Sequence, residues 1–567
     1  MPKTPIFAQA EVSVPDHSNF DLGYTNYLTA KFGELIPFYK QHTLPKSKYK
    51  INTQLNIQTE PFNSDIVGKI GVYSAFFAVP YRLLYDEWED FYTGGRQNSL
   101  NPVAPYIDLV SATLSSNYSL FTKGTLYDYL GFPTFDSKPT WKDQILSGHQ
   151  LHISPFAFKA YQEIYATYYA DQQQLTNSYY NSLMLPLKSD KVSTNSLFDL
   201  MTLRKRCWTK DYFTSALPYP QNSPNAVTIP FTGKGTQLVT IDHSSIPNVQ
   251  LHVQNVYPTS NGLVNYEGGS INMTPEQPVN YETDTGNGTY FTNPNEIANT
   301  ASMQELRKAS ALDRFLRKAN LGFRYIEQLF TFFGQKPSDA RLQRPQYIGG
   351  SVQYIDLSPI TSTVAPTDTN TSSFEPLGTR KSVGFSLNNN TVSTEFESEE
   401  HCVILGIMSI QPEAFYFQGI DRMEQKFDRY DYFQPDFEHV GDQPIYSREL
   451  YCPNTYTAVK DTADNELNKI FGYTTRYAEY KFHNPQELHG EFRGDLADTI
   501  CTRTFKTQPS LNNNFLEVEG HDSSDSSTIA ASLDRVFALS EDIENPFKCI
   551  IRNNVEAWLP MSLYDQI

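Results

Sequence analysis

Apolar and polar positions alternate most cleanly from residue 49 to 58. Tyr49, Ile51, Thr53, Leu55 and Ile57 point one way, and Lys50, Asn52, Gln54, Asn56 and Gln58 the other. A period of two predicts a strand with one face on a core and one in water. Ile70 to Val79 and Cys402 to Ile410 are apolar on both faces, as interior strands are. Residues 31–45 read as extended chain punctuated by Pro37 and Pro45, whose Phe32, Leu35, Ile36, Phe38 and Tyr39 need a partner surface. Helical spacing appears after Pro80, where Tyr81, Leu84, Tyr85, Trp88 and Phe91 form a stripe ended by Gly94-Gly95. Ser154 as N-cap and Pro155 at the first helical position start a second helix, with Ala157, Tyr161, Ile164, Tyr165 and Tyr168 inward. Two further stripes follow: Leu312, Phe315, Leu316 and Ala319, then Phe323, Ile326, Leu329, Phe330 and Phe333, stopped by Gly334. Further strand-like pieces fall at 414–417, 473–482, 487–492 and 535–539, while 358–398 reads as a Ser/Thr/Asn-rich connection.

Antiparallel strands interrupted by long insertions, without a repeat at fixed period, predict an all-β domain with helical insertions, a two-sheet jelly roll rather than a propeller. The 567 residues contain 14% aromatics, with 37 Tyr and 37 Phe, which suit pleated, half-buried strands. No linker separates independently folding units, so the chain reads as one elaborated domain in four parts. These are 1–221, a surface insertion at 222–300, a basic helical segment at 301–346, and 347–567. Asp211 to Gln221, with Pro218 and Pro220, leads the chain out of the core into the insertion. The insertion has one basic residue, Lys234, against six acids, and its short alternating pieces, such as Val249 to Val256, predict a small β excursion on an outer surface. The segment after it has nine basic residues against four acids.

The longest apolar run, Cys402 to Met408, is too short to cross a bilayer, so no membrane is expected. Five scattered cysteines without a Cys-x-x-Cys pair point to buried free thiols rather than zinc or disulfides. A formal net charge of −18 excludes a wholly nucleic-acid-binding surface and leaves room for local contact only. The best local candidates are Arg204, Lys205, Arg206 and Lys210 interleaved with Trp208, because a base stacked on an aromatic gains about 1 to 3 kcal/mol. Intersubunit contact or a wet turn is the favoured role for the same run. Arginines in 301–346 face DNA or pair with a neighbour's carboxylates, the structural role being favoured. Asp428, Asp431, Asp436, Glu438, His439 and Asp442 are the densest acidic cluster, but their spacing is not that of an EF-hand loop, so a polar or intersubunit surface is expected and no metal. Signature motifs of metalloproteases, serine hydrolases, P-loops and dinucleotide binders are absent, so no catalytic residue and no cofactor is expected. A carbohydrate-active β-sandwich is the alternative, since such enzymes work through paired carboxylates.

Several segments in order resemble the major capsid protein of microviruses, single-stranded DNA bacteriophages, and the gokushovirus-like branch most. They are Val79-Pro-Tyr-Arg-Leu-Leu-Tyr-Asp-Glu-Trp88, Leu126 to Pro133, Asp211 to Gln221, and Glu305-Leu-Arg through Phe323-Arg-Tyr-Ile326 to Gly350. Beyond these stand Gln418-Gly-Ile-Asp-Arg-Met423, Arg429-Tyr-Asp-Tyr-Phe433, Phe471 to Tyr480 and Asp534-Arg-Val536. The resemblance implies an eight-stranded antiparallel jelly roll of viral capsid type with large insertions, assembled as sixty copies in a T=1 icosahedral shell around circular single-stranded DNA. It places 222–300 where relatives carry a threefold protrusion. It also implies a small basic DNA-binding protein, a pilot protein and a host surface receptor as partners, location in the virion, and assembly in the bacterial cytoplasm.

Overall fold

Ten strands form one antiparallel sheet in the computed structural model. The structure describes residues 17–94, 102–109, 118–134, 152–173, 177–220, 324–361, 378–387, 392–438, 441–452, 468–482, 488–494, 499–518, 533–539 and 545–563. It adds a few isolated positions, five short strands between 237 and 283, and a helix at 303–319. Two compact units result, one of 1–220 with 323–567 and one of 221–322.

In the first unit the sheet strands are β1 (Ser18–Asp21), β2 (Tyr24–Ala30), β3 (Ile36–Thr43), β4 (Ser47–Thr59), β5 (Ile70–Pro80), β6 (Gln346–Thr361), β7 (Arg380–Leu387), β8 (Val392–Ser398), β9 (Cys402–Pro412) and β10 (Phe547–Leu559). They run in the order β1, β10, β4, β7, β6, β5, β9, β3, with β2 also on β10 and β8 also on β4. The extra pairs lie in tandem. β1 and β2 take successive stretches of β10, and β7 and β8 take successive stretches of β4, so ten strands fill eight positions across. β6 serves both halves, pairing β5 from Gln346 to Ile355 and β7 from Asp356 to Thr361.

The 49–58 alternation is realised in β4, where every second residue is buried. β5 and β9 lack alternation because each is covered twice. Ile404, Met408 and Ile410 join a core with Ile51, Leu55, Val72 and Ile551, while Val403, Leu405 and Ile407 join a second core with Leu84, Tyr127, Phe158 and Tyr161. All eleven residues of β9 are buried. Residues 36–43 form the edge strand β3, where Pro37 is tolerated because an edge needs only one row of partners, and the five apolar side chains predicted to need cover are buried.

Other expectations change. The helix after Pro80 is two short turns, Tyr81–Leu84 and Trp88–Thr93, separated at Tyr85, whose extended backbone swings its ring inward and its hydroxyl to Ser189. The second helix, α1 (Phe156–Ile164), starts one residue late, with Pro155 at the N-cap and no side-chain cap, and continues as a π-helical turn to Tyr169. It is buried all round. The connection at 358–398 carries the end of β6 and all of β7 and β8, the remainder lying outside the described residues. Segment 414–417 is irregular, and strand Ile470–Thr475 gives way to a 3-10 turn at Ala478–Tyr480. Gly490–Arg493 and Leu533–Val536 are 3-10 turns, and Glu487 lies outside the described residues. Helix α2 (Tyr325–Phe333) ends at left-handed Gly334, but Phe330 and Phe333 are exposed and only Ile326 of its stripe is buried, while Phe323 lies outside the described residues. Leu312 and Phe315 of the Met303–Ala319 helix are exposed as well.

The second unit holds a three-stranded sheet of Val249–Val253 between Leu263–Asn265 and Val279–Thr283, a two-stranded sheet of Gln237–Thr240 with Ser270–Met273, and that helix. The predicted β excursion at Val249 is thus a strand as far as Val253, residues 254–256 lying outside the described residues.

Candidate nucleic-acid interface and contact surfaces

The basic run is stitched between two distant segments. Leu35 and Val518 donate backbone hydrogen bonds to the carbonyls of Arg204 and Arg206, and Arg206 and Trp208 donate to those of Gly33 and Leu516. Extended geometry then sends successive side chains to opposite sides. Arg204 donates to Gln162 Oε1 at 2.8 Å and to the Asp199 carbonyl at 3.1 Å, and lies over the rings of Tyr165 and Tyr179. Arg206 lies 3.9 Å from the Tyr73 ring centroid and donates to Ser409 Oγ at 3.1 Å; burial holds its pKa below the usual arginine value. Trp208 is buried beneath the Arg503 guanidinium, 4.9 Å away. Lys205 is half-buried and its charge favours the ionised form of Glu517, against a larger upward push from burial. Lys210 is half-exposed, bonded to Asp171 Oδ2 at 2.5 Å and to the Thr214 carbonyl at 2.9 Å. The five residues are brought together: Trp208 is buried, Arg204, Lys205 and Arg206 are half-buried, and Lys210 is exposed. Their partners Gln162, Ser409 and Arg503 carry no local signal, because they come from segments up to about three hundred residues away.

A second charged site lies behind the predicted acidic cluster. Arg422 Nη1 meets Glu449 Oε1 at 2.8 Å, and Glu449 also accepts from Tyr212 Oη and the Tyr446 amide. Lys426 Nζ lies 2.7 Å from Glu479 Oε1, and Gln443 donates to Glu479 Oε2 at 2.7 Å. Burial raises the Glu449 pKa. For Glu479 burial also pushes upward, but the hydrogen bonds from Lys426 and Gln443 outweigh it and hold the carboxyl below its usual value. Both glutamates line a pocket of about 330 Å³ with Tyr212, Arg422 and Tyr480. A glycosidase needs one carboxyl free to give a proton and a second facing the sugar. Here each is clamped by a cation, so the pocket balances charge inside the protomer. Of the cluster itself, Asp431 accepts from the amides of Phe427 and Asp428, Glu438 pairs with Lys481 at 3.7 Å, and His439 lies outside the described residues. Among the described residues no three His, Cys, Asp or Glu side chains converge as metal ligands.

In front of that site the surface is aromatic. Ile420, Met423, Phe427, Tyr430, Tyr432, Phe433, Tyr480 and Phe482 are all exposed, Phe427 by 88%. Scattered exposed apolar residues need no explanation, but Ile420, Met423, Tyr480 and Phe482 line one pocket and Phe433 meets Tyr480 at 6.4 Å, so these residues gather into a patch of the kind that partners cover.

Residues 8–566 match the family model described as "Capsid protein (F protein)". The chain belongs to this capsid protein family. Similar relatives are all capsid protein VP1: that of Chlamydia phage 1, 26% identical over 98% of this chain and 96% of its own, and that of Bdellovibrio phage phiMH2K, 28% identical over 90% of each. VP1 of Spiroplasma virus 4 is 24% identical over 94% of this chain and 91% of its own. The chain is therefore a major capsid protein of a bacteriophage type. For a capsid protein, internally balanced charge and aromatic surface left open by the isolated protomer belong together, since the protomer's partners are other capsid components. Among the described residues no helix is long and apolar enough to cross a membrane.

Proposed function

We propose that this capsid protein closes into a T=1 icosahedral shell of sixty copies around a circular single-stranded DNA genome, in virions assembled in a bacterial cytoplasm. The observation that carries the reading is the family match along 8–566, with relatives covered over nine-tenths of their length or more. The wall of the shell is an eight-stranded jelly roll built from 1–221 and 347–567. In its support, ten strands occupy eight positions, and β6 passes from one half of the sheet to the other, as strands do at the corners of a closed sandwich. The acidic segment 222–300 forms an outward protrusion at each threefold axis and meets the host receptor, and 301–346 is an inner or intersubunit element. A small basic DNA-binding protein supplies most of the cation that this chain, at −18, lacks, and a pilot protein completes the virion.

Genome contact runs through Lys205 and Lys210, with Arg204, Arg206 and Trp208, held by their own partners, as support. Electron microscopy of particles purified with and without the double substitution Lys205→Ala and Lys210→Ala tests both parts. Closed particles of uniform diameter are expected in both, with less DNA per particle in the variant. Open sheets or soluble monomers from the unsubstituted protein sink the shell, and equal DNA content sinks the contact.

A further inference from the structure

The exposed aromatic surface at 420–437 and 480–482 carries an excess of negative charge around its rim. Its cations are largely taken up internally: Arg422 by Glu449, Lys426 by Glu479, Arg476 over the rings of Phe437 and Tyr477, and Lys481 by Glu438. Asp421, Glu424, Asp428, Asp431 and Asp436 are exposed around it, against the exposed Arg429 that lies on Tyr430. A rim of this sign repels phosphate, so the partner is not DNA.

The same unit carries a surface of the opposite kind at 325–344. Tyr325, Phe330 and Phe333 of α2 are exposed by 66%, 62% and 73%, and Lys336 and Arg341 beside them are exposed. The two carboxylates of this stretch are already held, Glu327 by Arg324 at 3.6 Å and Asp339 by Arg344 at 2.5 Å. One chain thus presents an aromatic surface with an acidic rim and another with a basic rim.

We infer that the 420–437 surface of one copy docks the 325–344 surface of a second copy. Two different patches joined this way make a head-to-tail contact, which repeats around a symmetry axis until a ring closes. The interior of such an interface takes aromatics and methionine, while the rim charges select the partner and set the register. Phe427 is the central anchor. The inference rests on the shell reading and adds to it which surfaces meet.

Charge reversal with rescue tests it in the full-length protein. Asp428→Lys with Asp436→Lys, and separately Lys336→Glu with Arg341→Glu, are each expected to lower particle yield about tenfold or more while the soluble protein keeps its circular dichroism. All four substitutions together are expected to restore particles. Normal yield from both pairs of reversals overturns the inference, as does a quadruple variant that stays as defective as either pair. If Lys336→Glu with Arg341→Glu leaves intact shells without DNA, that surface faces the genome and the docking is wrong. Unsubstituted protein that never closes a shell overturns the shell reading and this inference together, which separates that failure from the others.

Discussion

Lys159 and Glu163 lie one turn apart on α1, with Nζ and Oε1 3.6 Å apart and both side chains almost wholly buried. Lys159 also donates to the Leu183 carbonyl. Burial pushes the Glu163 carboxyl up to about 7 from an ordinary 4.5 and pulls Lys159 below its ordinary 10.5. A carboxyl raised on folding adds stability that is full below about 4.5 and is lost as pH rises through about 7; the depressed lysine adds stability present above 10.5 and lost as pH falls through its folded value. Around neutral pH the pair is held against both gradients by mutual attraction. Lys159→Met alone should therefore cost about 3 to 5 kcal/mol in denaturant unfolding, whereas Lys159→Met with Glu163→Leu should be neutral or stabilising by about 1 to 4 kcal/mol. A double variant as unstable as the single one would show that the charges themselves are needed. Spacing alone put one stripe of this helix inward and left Lys159, Gln162 and Glu163 for solvent. What covers them is the 177–201 region, which no window around the helix contains.

Strands disclose themselves in proportion to how apolar their inward rows are. β4 and β9 were legible for that reason. β7 and β8 were not, because their inward rows include Ser382, Ser386, Thr394 and Ser398, whereas the inward row of β10 is apolar but for Asn553 and its alternation was open to the same reading. Such groups are tolerated inside a sheet when bonded across it: Thr53 Oγ1 donates to Asn553 Oδ1 at 2.7 Å, and Thr43 and Ser398 hydroxyls meet at 2.9 Å. The 3-10 turns at 490–493 and 533–536 misled in the opposite sense, since short apolar runs do not distinguish a buried turn from a strand. Of the basic run the sequence supplied the residue types and their grouping, but not Tyr73 and Ser409 that receive Arg206. Within β9, Gly406 has no room for a side chain: a Cβ there would lie 2.8 Å from Phe38, 2.9 Å from Phe76 and 2.9 Å from Tyr39. Those Phe rings meet edge to face at 5.3 Å, and β9 shifts register against β3 at this point. Gly406→Val should force them apart and cost about 1 to 3 kcal/mol, read as a lower urea midpoint at unchanged slope. An unchanged midpoint would mean the aromatic pair is looser than its geometry.

At the scale of the whole chain, the charge of −18 sets the conditions under which copies meet. At physiological salt the Debye length is about 8 Å, so like charges on separate protomers are mostly screened, and apolar contact between the open aromatic surfaces prevails. Lowering the salt lengthens the reach of repulsion. Assembly followed by light scattering should then slow or stop at low ionic strength; a rate independent of salt would refute the balance. The passage of β6 from β5 to β7 has a mechanical side. With a single backbone woven into both halves of the sheet, a load applied along its strands pulls on rows of hydrogen bonds in parallel, and such rows yield together instead of unzipping one at a time. Rupture under internal pressure would therefore start at the seams between copies, leaving each tile whole.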